Sequence, residues 1–133
     1  MEFKSVNKIF EEAFKKNWER PAISNYQGVT LKFGDVARRM EKLHIMFEEC
    51  GLQRGDKVAI CSRNQANWAV SFLAAMTYGA VPVPLLHEFK SANIHHLVNL
   101  IKELYHYCPN EHNFQLVEYH NLLMIYFLQQ LPH

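Results

Sequence analysis

Apolar residues recur at helical spacing in two stretches of the first fifty positions. In residues 5–18 they fall on one face, which predicts an amphipathic helix that ends before Pro21. In residues 36–50 they again share one face, and Gly51 is placed to end this second helix as its C′ residue. Each helix is therefore expected to pack one face on a core.

Between these helices the apolar residues no longer follow helical spacing. Residues 22–26 and 29–33 are two short runs that flank Gln27-Gly28. Two such runs around a short glycine-containing connection predict a small β-hairpin.

The stretch from residue 56 to residue 85 changes from a strand pattern to a helix pattern and back. Residues 56–62 are rich in β-branched residues, and Asn64 is placed to cap the helix that follows. That helix, at residues 65–78, is apolar on nearly every face, which is typical of a buried helix, and Gly79 ends it. Residues 80–85 form a second strand. This order predicts a βαβ unit with adjacent parallel strands and a right-handed crossover.

The remainder of the chain has weaker patterns. Ser91 is placed to cap a further helix through Ile94 and Ile101. The apolar run at residues 121–131 is compatible with a short buried helix or with a strand, because a run of that length has no decisive period.

Composition excludes several classes of protein. The 133 residues carry 14 basic and 13 acidic side chains, so no long-range field favours nucleic acid. The N-terminus has no apolar signal-peptide core, and no apolar run is long enough to span a membrane. The cysteines are odd in number and widely spaced, which favours a reducing cytoplasm over a disulfide framework.

The segment "GLQRGDKVAICSRNQANWAVSFLAAMTYGAVPVPL", residues 51–85, resembles one family. It is similar to the N-terminal region of adenylate-forming enzymes, which include AMP-forming acyl-CoA synthetases, luciferases and peptide-synthetase adenylation domains. Within this family, the sequence of the segment is most similar to those of bacterial long-chain fatty-acid–CoA ligases. The matching positions are Gly51, Gly55, Asp56, Val58, Ala59, Ile60, Asn64, Phe72, Ala74, Ala75, Gly79, Ala80, Val81, Val83, Pro84 and Leu85.

The resemblance also extends to both sides of this segment. Phe33, Asp35 and Val36 match a block that opens the preceding helix, although Lys32 replaces the usual threonine cap, and "KSANIHHLVN" resembles the helix after the second strand. The similarity covers residues 5–99 and implies a partial parallel-sheet α/β domain with a small N-terminal hairpin, incomplete relative to the family.

The implied domain organisation is an AMP-binding region at residues 1–99 and an unrelated tail at residues 100–133. The complete family enzyme joins a fatty acid to CoA through an acyl-adenylate, using ATP and Mg²⁺. That chemistry uses a Ser/Thr/Gly-rich phosphate loop, an adenine-binding segment, an aspartate for the ribose and a distal lysine, none of which occurs in this sequence. We therefore expect a fragment that is inactive alone and binds no cofactor, from a truncated gene, a frameshift or a deliberately shortened gene.

The sequence predicts no catalytic, cofactor-binding or metal-ligating residue. Cys108 and His112 have the spacing of one half of a zinc site, but no second cysteine pair accompanies them, so surface histidines are the favoured interpretation. The histidines considered are His87, His95, His96, His106, His112, His120 and His133.

Other reactive or charged side chains also have structural interpretations. Asp56 is expected to cap a turn, and Cys61 to be a small buried residue. The basic pairs at residues 15–16 and 38–39 are expected to be solvated helix faces. Trp18 and Trp68 are expected in the core, with the lining of an acyl tunnel as the alternative.

Two further expectations concern proline and the tail. Pro84 is expected at the end of its strand, and the nitrogen of Pro82 is expected to face a sheet edge or a gap, because proline has no N–H for a ladder. The apolar residues 116–131 are expected either to pack on the βαβ unit or to mediate self-association. As an alternative function, we expect a small interaction module that associates with another copy through these residues.

Overall fold

The computed structural model describes residues 5–86 together with residues 88, 92, 93 and 96. Within this part the chain alternates helices and short strands, as the hydrophobic pattern predicts. The elements are α1 (Val6–Lys16), β1 (Pro21–Ser24), β2 (Thr30–Lys32), α2 (Phe33–Glu49), β3 (Lys57–Cys61), α3 (Ala66–Tyr78) and β4 (Val81–Leu85).

The strands form two small sheets. Strands β1 and β2 pair antiparallel as the predicted hairpin. Strands β3 and β4 pair parallel, from Lys57 opposite Val81 to Cys61 opposite Leu85, and α3 is the crossover between them. The predicted α/β fold with a parallel βαβ unit is confirmed.

Helix α1 is shorter than the sequence pattern predicts. The Ser5 Oγ atom accepts the N–H of Lys8 at 3.3 Å and caps the helix, which ends at Lys16 because Asn17 leaves helical geometry. None of the helical residues is fully buried. Trp18 therefore lies after the helix, and its predicted position in a helical core is wrong: 39% of the residue is exposed.

Helix α2 begins directly after β2, and its first residue, Phe33, belongs to the helix and not to the predicted strand. As expected from the lost threonine, Lys32 makes no side-chain cap. Its backbone N–H instead donates to Asp35 Oδ2 at 3.0 Å, so the carboxylate replaces half of the reciprocal cap. At the other end, Gly51 has a φ of 73°, and the N–H of Leu52 donates to the Phe47 carbonyl at 2.9 Å. This Schellman ending confirms Gly51 as the C′ residue.

The start of α3 differs from the prediction. The N-cap position belongs to Gln65 and not to Asn64, and Gln65 makes no side-chain cap. The N–H of Ala66 donates instead to Oδ1 of Asn25, 2.7 Å away, in the turn of the hairpin. A residue 41 positions earlier thus satisfies a donor that the first turn of a helix leaves unpaired.

The core lies where α2 and α3 meet the β3–β4 sheet. Val36, Val58 and Ile60 are its largest fully buried side chains. Every residue of α3 is buried or half-buried, and Trp68 and Phe72 are among the half-buried ones, so the prediction of a buried helix is confirmed in part. Its buried residues are Ala66, Val70, Ser71, Ala74 and Ala75.

The two prolines of β4 occupy positions that the ladder tolerates. The N–H of Val81 donates to the Asp56 carbonyl at 2.7 Å. Since backbone groups alternate in direction along a strand, residues 81, 83 and 85 face β3, and Pro82 and Pro84 face away from it. In the described part of the chain β4 pairs with β3 alone, so the expectation that Pro82 faces an edge is confirmed. The helix predicted after Ser91 and the segment 116–131 lie outside the continuous described range.

Candidate functional site

The loop between α2 and β3, residues 51–56, is held by backbone geometry. Asp56 Oδ2 accepts the N–H of Gln53 at 2.7 Å, and the N–H of Asp56 donates back to the Gln53 carbonyl at 3.1 Å. Gly55 has a φ of 91°, which favours glycine, and its N–H donates to the Gly79 carbonyl at 2.8 Å. Asp56 is thus a turn cap, as the sequence indicates.

Cys61 ends β3 and is buried, with 6% of its surface exposed. Burial raises the pKa of its thiol, because the thiolate would lose solvation. The Sγ atom lies 3.8 Å from the Leu86 carbonyl, to which the thiol donates. A protonated, enclosed thiol is a poor nucleophile. The prediction that Cys61 is a small buried residue is confirmed.

The basic pairs on α1 and α2 make contacts within their own helices and, through Arg39, with α3. Lys15 pairs with Glu11, and Arg38 Nη1 lies 3.3 Å from Asp35 Oδ1. Arg39 Nη1 donates to Asn67 Oδ1 at 2.7 Å and so links α2 to α3. These are exposed helix faces, as predicted.

Trp18 covers the start of α2. A Cβ atom at Gly34 would lie 2.8 Å from Cε2 of the indole, so only glycine fits beneath the ring. The guanidinium carbon of Arg38 lies 5.3 Å from the centre of the same ring, within the range of a cation–π interaction. Trp68 is parallel to Phe72, with ring centres 5.3 Å apart. Both tryptophans serve packing in the described structure.

An open groove of about 440 Å³ lies between α1, α2 and the end of α3. His44 marks its α3 side, with Nε2 2.9 Å from the Ala74 carbonyl and 3.1 Å from Thr77 Oγ1. The sequence alone does not distinguish His44, since one histidine in an amphipathic helix has no distinguishing pattern. The lining residues are Asn7, Phe10, Glu11, Phe14, Trp18, Ala37, Arg38, Met40, Glu41, His44 and Thr77.

A second groove of about 310 Å³ separates α2 from α3 and has Arg39 and Lys42 at its rim. Neither groove contains the glycine-rich backbone that cradles a triphosphate. Among the described residues no three His, Cys, Asp or Glu side chains are grouped to hold a metal ion. Of the histidines considered for zinc, only His96 is described, and it is exposed.

No helix of the described residues is long and apolar enough to cross a membrane. The described contacts of residues 5–86 are those of a packed α/β unit. Its turns and caps align the two parallel strands, and the arrangement holds no assembled set of reactive side chains.

Comparison with known proteins identifies the family of this α/β unit. Residues 10–103 match the family model described as AMP-binding enzyme. Surfactin synthase subunit 2 of Bacillus subtilis is 23% identical over 95 residues, which cover 71% of this chain and 3% of the relative. Nonribosomal peptide synthetase NPS2 of Ceriporiopsis subvermispora is 35% identical over 65 residues, or 49% of this chain and 3% of the relative.

The fold also matches solved structures. The N-terminal subdomain of Klebsiella oxytoca NpsA, in complex with 3-hydroxybenzoyl-AMSN, aligns with a TM-score of 0.64 and 26% identity. The alignment covers 73% of this chain and 24% of the NpsA chain. An artificially fused adenylation–PCP di-domain, NpsA-ThdA, aligns with a TM-score of 0.66 at 26% identity.

This chain thus spans about 3% of the length of these curated relatives and about a quarter of the NpsA subdomain. The relatives named above are peptide synthetases. The comparisons therefore favour the peptide-synthetase branch of the family over the fatty-acid–CoA ligases that the sequence of residues 51–85 suggested. The family model covers well over half of the chain and includes both parallel strands. The chain belongs to the AMP-binding enzyme family.

Proposed function

We propose that this chain supplies the first part of an adenylate-forming domain and has no adenylating activity alone. The observation that carries the proposal is the βαβ unit of β3, α3 and β4, which lies inside the match to the AMP-binding family at residues 10–103. In the complete enzyme a carboxylate attacks the α-phosphorus of ATP, forming the acyl-adenylate and releasing pyrophosphate. This chain's own residues hold the scaffold on which the later segments assemble.

The first substrate class that we propose is an amino or aryl carboxylic acid. Support comes from the relatives, which are peptide synthetases, and from the NpsA subdomain, whose complexes contain 3-hydroxybenzoyl-AMSN and anthranilyl-AMSN. The second substrate class that we propose is a long-chain fatty acid, with CoA as the acceptor. The resemblance of residues 51–85 to fatty-acid–CoA ligases supports this class. ATP and Mg²⁺ would be held by segments other than residues 5–86, and the enzyme would work in the cytoplasm.

The absence of activity is tested by ATP–pyrophosphate exchange. The purified chain is offered amino acids, hydroxybenzoic acids and long-chain fatty acids in turn, with ATP and Mg²⁺. We expect label incorporation equal to the enzyme-free background for every acid. Exchange that survives repurification and depends on one acid would contradict the proposal.

The scaffold role is tested by a chimera in which residues 10–86 replace the aligned part of the NpsA subdomain. If these residues form the equivalent scaffold, the chimera should retain pyrophosphate exchange with the acid that the parent protein uses best. A matched chimera with Val58→Asp, which places a carboxylate at a fully buried position, should lose it. A folded chimera without exchange would contradict the scaffold role.

A second proposal concerns self-association. Large apolar side chains are exposed on the described surface, including Val6 and Ile9 at 53% and Leu86 at 61%. Such surface favours association, and the apolar segment 116–131 is the part of the chain that we propose to mediate it. Deletion of residues 113–133 should lower the number of chains per particle, calculated as the mass from light scattering divided by the mass of the shortened chain. An unchanged number of chains per particle, with unchanged binding of a hydrophobic dye, would rule out this role.

A further inference from the structure

The two edges of the β3–β4 sheet differ in the backbone groups that they offer. The bond from the Val81 N–H to the Asp56 carbonyl, together with the parallel register, places residues 81, 83 and 85 toward β3. The outward backbone positions of β4 are then Pro82 and Pro84. Every outward-facing nitrogen within β4 therefore lacks a hydrogen.

An incoming strand needs both donors and acceptors. The carbonyls of Pro82 and Pro84 offer acceptors, but no N–H within β4 would donate to the carbonyls of the new strand. A shift in the register of the new strand does not supply the missing donors, because both outward positions of β4 are proline. A strand paired here would leave its own carbonyls unsatisfied, and an unsatisfied buried carbonyl costs about 1–3 kcal/mol.

Among the described residues, burial also indicates that β4 lies at an edge of the sheet. Val58, Ala59, Ile60 and Cys61 of β3 are all buried, whereas no residue of β4 is, and Val81 is 43% exposed. An exposed strand with ordinary backbone groups is a template for pairing with another chain. The register puts proline at the two positions where such pairing would occur.

We propose that Pro82 and Pro84 close the outer edge of β4 against strand pairing with a second copy of this chain. The surface involved is the outer edge of β4, and the excluded partner is the β4 strand of another copy. This inference goes beyond the proposed function and holds whether or not the domain activates a carboxylate.

The test restores the missing donors. In the variant P82V/P84V, valine supplies an N–H at both outward positions and keeps an apolar, strand-forming side chain. We expect the weight-average mass from sedimentation to rise with concentration toward about twice that of the wild-type chain, as for a two-fold dimer. Hydrogen exchange of the peptide 80–86 should slow with the same concentration dependence.

A matched variant separates edge pairing from general aggregation. P82V/P84K restores the same two N–H groups but places a lysine at exposed position 84. Lysine on an edge strand disfavours pairing with another strand. We expect its mass to stay near that of the wild type. Should P82V/P84V lose its circular dichroism spectrum, the single variants P82V and P84V are measured by the same criteria.

Three results would overturn the proposal. One is a folded P82V/P84V whose mass equals that of the wild type at every concentration. Another is association without slowed exchange in residues 80–86. The third is a P82V/P84K variant that associates as strongly as P82V/P84V.

Discussion

The side chain of Asn25 in the hairpin turn accepts the backbone N–H of Ala66 at 2.7 Å and so caps a helix that starts 41 residues later. This contact joins the hairpin to the βαβ unit through one side chain. It also explains why α3 can begin without a capping side chain at its own N-cap residue, Gln65.

Replacement of Asn25 by alanine should therefore destabilise the protein. Loss of a side-chain cap costs about 1 kcal/mol, because the first-turn N–H loses its acceptor. Urea unfolding followed by circular dichroism measures the change in the free energy of unfolding. Asn64→Ala is the matched control and should change it little, since the cap is not at Asn64. Equal losses in both variants would contradict this assignment.

Asp56 should matter for stability and not for chemistry. Asp56→Ala removes the acceptor of the Gln53 N–H and should lower the free energy of unfolding by about 1 kcal/mol, whereas Asp56→Asn keeps an acceptor oxygen and should lose less. In the NpsA chimera, Asp56→Asn should retain pyrophosphate exchange. Full loss of exchange in a stable Asp56→Asn chimera would show that the carboxylate takes part in the reaction.

Gly34→Ala should destabilise the protein although alanine is the better helix former. The added methyl group would meet the Trp18 ring at 2.8 Å, and such overpacking costs about 1–3 kcal/mol. In a Trp18→Leu background the same change should cost less, so the two substitutions should couple in a double-mutant cycle. Thermal unfolding of the four variants measures this coupling, and additive effects would contradict the contact.

The stability of the protein should fall at alkaline pH in a way that depends on Cys61. Its pKa is raised in the folded state, so the unfolded chain releases the thiol proton more readily. The contribution is fully present below the ordinary thiol pKa of about 8.5 and is lost as pH rises above it. Urea unfolding at intervals from about pH 7.5 to pH 9.5 stays below the ordinary titration of tyrosine.

The control for this prediction is the second described cysteine. Cys61→Ala should reduce the decline in the free energy of unfolding with rising pH. Cys50→Ala leaves the buried thiol in place, so the decline should be the same as in the wild type. A decline that is identical in the two variants would contradict the role of Cys61. Cys61→Ala also lowers the free energy of unfolding at neutral pH through lost packing. That loss is separate from the change of this free energy with pH.

Local periodicity was sufficient to predict the element order of residues 5–86. Helix and strand patterns depend on which face is apolar, and the glycines at 51 and 79 mark helix ends because both take positive φ. The same local signals predicted the parallel pairing of β3 with β4, since a strand–helix–strand of that length permits little else.

The features that sequence reasoning missed depend on contacts between distant residues. Nothing near Ala66 indicates that Asn25 will cap it, and Asn64 has the more obvious local position. The contact of His44 with the Ala74 carbonyl depends on how α2 packs against α3. Helix α3 is apolar all round, yet its composition does not say which side the described elements cover. Predicting that no residue of this chain is catalytic rested on absent motifs, and it stays a prediction.

The pair of hydrogen bonds from Gly55 to Gly79 and from Val81 to Asp56 lies at the amino ends of the two parallel strands. These bonds fix the register of β3 against β4 where the two strands start, since Val81 is the first residue of β4 and Asp56 directly precedes β3. The paired residues at the carboxyl ends, Cys61 and Leu85, then follow the register that is set at the amino ends. Sequence and length can change after Cys61 and after Leu85 without shifting the pairing, whereas one residue inserted between Gln53 and Asp56 would displace the whole sheet. A one-residue insertion in that turn should therefore lower the free energy of unfolding more than a one-residue insertion after Leu85.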